Sequence, residues 1–244
     1  MKVSIVTIAK TKEEIEELKK ALTNQTYKDY EFVYSTKKGI PQAWNDAFKK
    51  VKGKYILTID SEARPMTNTW IEEMVDSIEK HRGSIIKGIE VSSNSWTWCN
   101  IISNADIFKN NKVNENYPIA EDTEIFARLD NCGYKRITLP IAPVRHDRND
   151  PKKNLQRAYR YGRLNTRIKL RYKNSSFKEA NKVEGTDVFK REIYSIVSSG
   201  LYLIGIIVEL IKYKNKEIFM KKIIRKAKSS LKLCIYEEGN VHDE

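Results

Sequence analysis

Residues 53–65 read Gly53-Lys54-Tyr55-Ile56-Leu57-Thr58-Ile59-Asp60-Ser61-Glu62-Ala63-Arg64-Pro65, and this stretch decides the fold class. Tyr55–Ile59 is a nearly continuous apolar run, the pattern of a parallel strand covered on both faces. Asp60 and Glu62 follow it at once, at i and i+2. An open α/β sheet keeps its ligand site just beyond the carboxyl ends of its strands. Two carboxylates there suit a hard divalent cation, Mg²⁺ or Mn²⁺, and equally a solvated loop.

Upstream, strand and helix signals alternate. Lys2–Ala9 is a β-branched apolar run, and Thr11 with Glu14 forms a capping box. The helix it opens carries its apolar stripe on Ile15, Leu18 and Leu22. Tyr30–Ser35 reads as a second strand. Pro41 suits the first turn of a helix with Trp44, Ala47, Phe48 and Val51 on one side and Gly53 past its end. Downstream, residues 68–80 spell another amphipathic helix. This alternation predicts an α/β domain with a mostly parallel sheet flanked by helices.

Beyond residue 84 the reading predicts strands at Ser84–Val91 and Arg136–Leu139. It predicts a short helix at Glu121–Asn131, closed by Gly133. Pro140–Pro151 reads as loop, and the basic stretch 152–173 as helix. Glu121 and Asp122 stand at a helix start, where the macrodipole favours acidic side chains whatever their task. His146 is a lone loop histidine in Arg145-His146-Asp147-Arg148. Trp96 and Trp98 suit either an aromatic stacking wall or one face of a core strand.

Charge is unevenly spread. Residues 151–244 hold 22 Lys+Arg against 10 Asp+Glu, a net of +12, which leaves +1 of the total +13 for residues 1–150. Such asymmetry points the C-terminal part toward a polyanion. Ile193–Val208 is uncharged but short of the roughly 20 residues of a spanning helix, with its large apolar residues at amphipathic spacing. Residues 216–233 set Phe219, Met220, Ile223, Ile224 and Leu231 against six lysines and an arginine. That is the pattern of an in-plane anchor on an anionic membrane, and also of helices packed on a domain with solvated lysines. Arg157, Arg160 and Arg163 recur along one side of a helix, placed to meet phosphate or solvent. Cys99, Cys132 and Cys234 are too far apart for a disulfide framework or a zinc site, which favours a reducing, cytoplasmic setting.

In this order the motifs resemble the family 2 glycosyltransferases of the GT-A fold. The resemblance begins with Val3-Ser4-Ile5-Val6-Thr7, Asn24-Gln25-Thr26-Tyr27 and Gly39-Ile40-Pro41-Gln42-Ala43-Trp44-Asn45. It continues through Gly53-Lys54-Tyr55-Ile56, Asp60 to Pro65 and Trp70. Ala120-Glu121-Asp122-Thr123-Glu124, Arg128, Gly133-Tyr134-Lys135 and His146 complete it. It covers roughly residues 1–170, the expected catalytic domain, and leaves 171–244 as a basic helical extension.

The resemblance implies an inverting transfer from a nucleotide-sugar donor to a glycan or lipid-linked acceptor. It gives Asp122 the part of general base and Glu121 acceptor binding, with Trp96 and Trp98 beside it. Asp60, Glu62 and His146 would be metal ligands for Mn²⁺ or Mg²⁺. Thr7, Ala9, Ser35, Gly39, Asn45, Asp60 and Ser61 would contact the donor. Two departures stand out. No carboxylate follows the second strand in Tyr34-Ser35-Thr36-Lys37-Lys38, where the family commonly contacts the base, and Glu62 replaces an aspartate. Trp44 stands where the family often has arginine.

A peripheral protein at the cytoplasmic face of the membrane, with a second copy of itself among its partners, is the expectation. A basic nucleic-acid-binding protein is the alternative outside enzymes, but the tail lacks a helix-turn-helix, zinc or RNA-binding signature. A nucleotidyltransferase would carry a glycine-rich loop after the first strand, and Ala9-Lys10-Thr11-Lys12 contains no glycine.

Overall fold

The computed structural model describes residues 2–91, 95–146, 151–172 and 200–214, with backbone alone for 151–157. Asp147, Arg148, the side chain of Arg157, Cys234, residues 193–199 and the basic stretch 216–233 lie outside the described residues.

Chain order runs β1 (Val3–Ile8), α1 (Lys12–Leu22), β2 (Tyr30–Ser35), α2 (Ile40–Lys50), β3 (Tyr55–Thr58), β4 (Arg64–Pro65) and α3 (Trp70–Lys80). Then follow β5 (Ile85–Lys87), β6 (Ile101–Asn104), α4 (Ala105–Asn110), α5 (Glu121–Asn131), β7 (Arg136–Thr138), β8 (Val144–Arg145) and α6 (Pro151–Arg171). Residues 200–214 are helical and form α7. The main sheet has the order β2-β1-β3-β6-β5-β7, and β4 pairs with β8 in a separate ribbon. Neighbours β1/β2, β1/β3 and β5/β7 are parallel, whereas β6 runs antiparallel to both β3 and β5.

The period-2 alternation of the strands divides the core into two layers. Val3, Ile5, Tyr55 and Leu57 face α1 and α3, through Leu18, Leu22, Ile71, Met74, Val75 and Ile78. Val6, Ile56 and Ile101 face the other way, onto Trp44, Ala47 and Phe48 of α2 and Ile125, Phe126 and Leu129 of α5. Helices thus cover both faces of a mostly parallel mixed sheet, the α/β architecture read from the sequence. α1 begins as its capping signal predicts, with Thr11 Oγ1 accepting from the Glu14 amide at 3.4 Å. Glu14 returns to the Lys10 amide at 3.0 Å, one residue ahead of the capping position.

Five elements differ from the reading. β4, β6, α4 and β8 carry no sequence prediction, β8 falling in a stretch read as loop, and β5 is three residues long rather than eight. Gly88-Ile89-Glu90 leaves the sheet because Asn100 and Ile141 take its backbone. Gly88 N donates to Asn100 O at 3.0 Å and Ile89 N to Ile141 O at 2.9 Å.

At the C-terminal side, α6 packs on α5 through Ile168 and Tyr172 against Ala120 and Ala127. α7 lies close against α6. A Cβ on Gly162 would collide with the Tyr202 carbonyl oxygen, and one on Gly205 with that of Tyr159. Glu209 closes the pair by accepting from Arg167 at 3.0 Å and Arg163 at 3.4 Å. Residues 200–208 of the expected amphipathic segment therefore pack on the domain along one side. On the other side Leu203, Ile204, Ile207, Leu210 and Ile211 remain exposed. Among the described residues no helix is long and apolar enough to cross a membrane.

Candidate functional site

The strands β1, β2, β3 and β5 end, and the reversed β6 begins, on one edge of the sheet. Ala9 N donates to Ser35 O at 3.1 Å, joining the ends of β1 and β2, and Asn100 N donates to Thr58 O at 2.9 Å, joining β6 to β3. Asn100, fully buried at φ 63°, braces this edge. Its side-chain oxygen accepts from Trp70 Nε1 at 2.8 Å, and its amide nitrogen donates to Ile89 O and Ala142 O at 2.8 and 2.7 Å.

Asp60 stands at this edge with His146, which the β4–β8 ribbon carries in from far along the chain. His146 Nδ1 lies 3.4 Å from Asp60 Oδ2 and 3.2 Å from Glu90 Oε1. Cys99 joins them: one ligand atom each from Asp60, Cys99 and His146 lies within 4.8 Å of the others. Carboxylate oxygen and imidazole nitrogen are donors that Mn²⁺ or Mg²⁺ accepts, so Asp60 and His146 fit a divalent cation, and the Cys99 sulfur adds a softer donor. Burial, with the charges of Asp60 and Glu90 behind it, pushes the Cys99 thiol well above its ordinary pKa.

Glu62 is not part of this group. Ala63 N donates to Asp60 O at 2.9 Å, so residues 60–63 make a tight turn, and Glu62 sits exposed on its outer side. Spacing at i and i+2 suggested two carboxylates side by side; the turn sends the second to solvent. Ser61 is buried and donates to Glu14 Oε2 at 3.1 Å. Arg64 closes the turn with a bond to Ser61 O at 2.6 Å.

The residues expected at the donor fall along the same edge but differ in what they are free to do. Thr7 is fully buried. Ser35 donates to Asp46 Oδ2 at 2.8 Å, so a carboxylate from α2 stands at the strand end where the sequence has none. Gly39, at φ 93°, is exposed ahead of α2. Asn45 is engaged elsewhere. Its amide donates to Val113 O at 2.9 Å and accepts from Val113 N at 2.8 Å, pinning the 111–117 loop to α2.

Glu121 and Asp122 open α5, which feeds the parallel strand β7 and so begins on the site edge. Ala120 before them holds φ 63°, a left-handed conformation that costs a non-glycine residue roughly 1 kcal/mol or more. Glu121 is buried; Asp122 is half-buried, its Oδ1 accepting from the Thr123 amide at 2.6 Å. Trp96 and Trp98 lie on the 88–100 excursion rather than on a strand. Trp98 is buried, ringed by Trp44, Phe48, Phe108 and Phe126 at centroid distances of 4.9 to 5.5 Å, so its faces belong to the core. Trp44 serves the same cluster. Trp96 is half-buried, edge-on to Phe126, with the Arg136 guanidinium 4.7 Å over its ring. Arg163, an expected phosphate contact, is instead paired with Glu209, while Arg160 is exposed.

Sequence reasoning missed Lys87, Glu90, Thr97, Cys99 and Asn100. Lys87 and Glu90 form a buried ion pair at 3.1 Å with side chains 1% and 0% exposed. The one sequence signal was a lysine at the end of an apolar run.

Residues 5–133, more than half of the 244, match the family described as glycosyl transferase family 2. The chain belongs to that family of nucleotide-sugar glycosyltransferases. No curated protein matches the chain. Among solved structures, the mannosyltransferase PcManGT from Pyrobaculum calidifontis, in complex with GDP-Man and Mn²⁺, is similar with a TM-score of 0.58 at 12% identity. The match covers 93% of this chain and 80% of that one. TarS of S. aureus is similar at TM-score 0.54 and 17% identity, over 74% of this chain but 41% of that one. Its 1–349 portion with UDP-GlcNAc gives 0.51 at 14% identity, over 74% and 69%. At these identities the likeness is one of fold, and the chain spans less than half of the longer TarS chain.

Proposed function

We propose that the protein moves a sugar, with inversion, from a nucleoside-diphosphate donor to a hydroxyl of a glycan or lipid-linked acceptor. The observation that carries this is Asp60 with His146 on the sheet edge onto which α5 opens with Glu121 and Asp122. Neighbours of like fold bind GDP-Man and UDP-GlcNAc, which supports a nucleotide-sugar donor without choosing its base.

Asp60 and His146 would hold Mn²⁺ or Mg²⁺, which as a Lewis acid neutralises charge on the departing diphosphate. Asp122 takes the proton from the acceptor hydroxyl as its oxygen attacks the anomeric carbon. The bond from that carbon to the diphosphate oxygen breaks on the opposite face. Nucleoside diphosphate leaves and the anomeric configuration inverts. Glu121 helps seat the acceptor, and Ala9, Gly39 and the turn at Ser61 border the donor.

Release of nucleoside diphosphate from UDP-, GDP- and TDP-sugars, with Mn²⁺, Mg²⁺ or EDTA, tests the reading. Metal-dependent release from one donor, absent in Asp60→Asn, is expected. No release and no nucleotide binding across the panel would overturn it.

The exposed apolar stripe of α7, and the basic stretch 216–233 that follows it in the sequence, support a peripheral position at the cytoplasmic face of an anionic membrane. Full-length protein is expected to float with phosphatidylserine-containing liposomes, and Ile204→Asp/Ile207→Asp to lose that binding. Equal flotation of the two would remove α7 from the role.

A further inference from the structure

We propose that Glu90, backed by Lys87, is the positioning residue that orients His146 at the Asp60 site. This rests on the reading of Asp60 and His146 as the cation-holding pair.

Glu90 and Lys87 are almost wholly removed from solvent, Lys87 ending β5 and Glu90 on the chain that leaves it. A buried ion pair is weak grounds for stability, since well-packed apolar residues of like volume often serve the fold as well or better. The neighbouring Ile85 and Ile86 are fully buried and apolar. The pair therefore calls for an account other than filling space.

The two oxygens of Glu90 supply one. Oε2 accepts from Lys87 Nζ at 3.1 Å and from Thr97 Oγ1 at 3.4 Å. Oε1 faces His146 Nδ1 at 3.2 Å. One oxygen anchors the carboxylate and the other reaches the imidazole. The backbones are locked in the same register, because Glu90 bridges to Val144. Val144 N donates to Ile89 O at 2.9 Å and Val91 N to Val144 O at 3.0 Å. A carboxylate on the inner nitrogen of a liganding histidine fixes the ring and makes it a better donor.

Glu90 also settles a competition. Asp60 Oδ2 lies 3.4 Å from the same Nδ1, and its side chain is 29% exposed against 0% for Glu90. With Nδ1 held by the buried carboxylate, Nε2 is the ring nitrogen that would meet a cation beside the more exposed Asp60. Lys87 supplies the charge that lets Glu90 stay there.

Mn²⁺ binding to the full chain, followed by EPR with Mn²⁺ alone and with UDP or GDP added, tests this beside thermal melts. Glu90→Gln is expected to weaken Mn²⁺ binding by about 10- to 100-fold. The double variant Lys87→Met/Glu90→Gln removes both buried charges. It is expected to melt closer to the wild type than Lys87→Met alone, yet to bind Mn²⁺ as weakly as Glu90→Gln. Wild-type affinity in the double variant would overturn the role, even while His146→Ala binds weakly and the site reading stands. Binding of Mn²⁺ that neither His146→Ala nor Asp60→Asn disturbs, or none in the wild type, would remove the site reading and Glu90 with it.

Discussion

Tyr172, just past the end of α6, donates its phenolic hydrogen to Oε1 of Glu124 at 2.6 Å, two residues beyond Asp122. Glu124 is fully buried and also takes the Arg128 guanidinium at 3.1 Å. The end of α6 is thus fastened to the turn of α5 that carries the proposed base.

Loss of that hydrogen in Tyr172→Phe is expected to cost about 1.5–3 kcal/mol, the range for a bond to a charged acceptor. Burial, and then the bond to Glu124, raises the Tyr172 pKa from 10.0 to about 12. A raised pKa gives a contribution fully present below pH 10 and lost as pH climbs toward 12. Urea unfolding across that window should show the gap between wild type and Tyr172→Phe narrowing. A constant gap would mean the hydroxyl does not titrate against Glu124.

Asp122→Asn keeps shape and removes the acceptor of the proton. Turnover should fall by about 10²–10⁴-fold, the usual worth of a general base. Calorimetry with the nucleotide should show donor affinity unchanged. Unaltered turnover would take Asp122 out of the chemistry.

Gly205→Ala places a methyl group against the Tyr159 carbonyl, where backbone faces backbone and neither side yields cheaply. Overpacking of this kind typically costs about 1–3 kcal/mol. The variant should melt lower, and α7 should lose protection in hydrogen exchange before the sheet does. Equal protection would show that the two helices separate without consequence.

Cys132 is exposed and Cys99 buried with a raised pKa. A thiol reagent at neutral pH should label Cys132 quickly and leave Cys99 untouched until the protein unfolds, as read by peptide mass spectrometry. Rapid labelling of native Cys99 would show that solvent reaches the site from behind.

The sequence showed β1, α1, β2, α2, β3 and α3 clearly, the helices by their apolar period and β3 by an unbroken apolar run between Gly53 and Asp60. Ile15, Leu18 and Leu22 on α1, or Ile71, Met74, Val75 and Ile78 on α3, mark a buried stripe without help from tertiary structure. β6 escaped notice because four residues buried at their neighbours' command show no alternation. The β4–β8 ribbon is two residues on each side, and its pairing joins segments far apart in the sequence, Arg64 with Arg145. Asp60 and His146 stood far apart in an ordered set of motifs, and the fold brings them together. The exposed placement of Glu62 was not legible, because spacing alone does not show which way a turn sends its side chains. Lys87 and Glu90 drew no reading of their own within the expected strand Ser84–Val91, because charge in a sequence says nothing of burial.

The reversed direction of β6 has a consequence for how such a protein diversifies. β5 leaves the sheet and β6 re-enters it on the same side, so the segment that joins them starts and finishes beside the site. A change of length within it needs no rethreading of the strands, whereas Glu90, Trp98 and Asn100 are held by their own buried contacts and keep its two ends fixed.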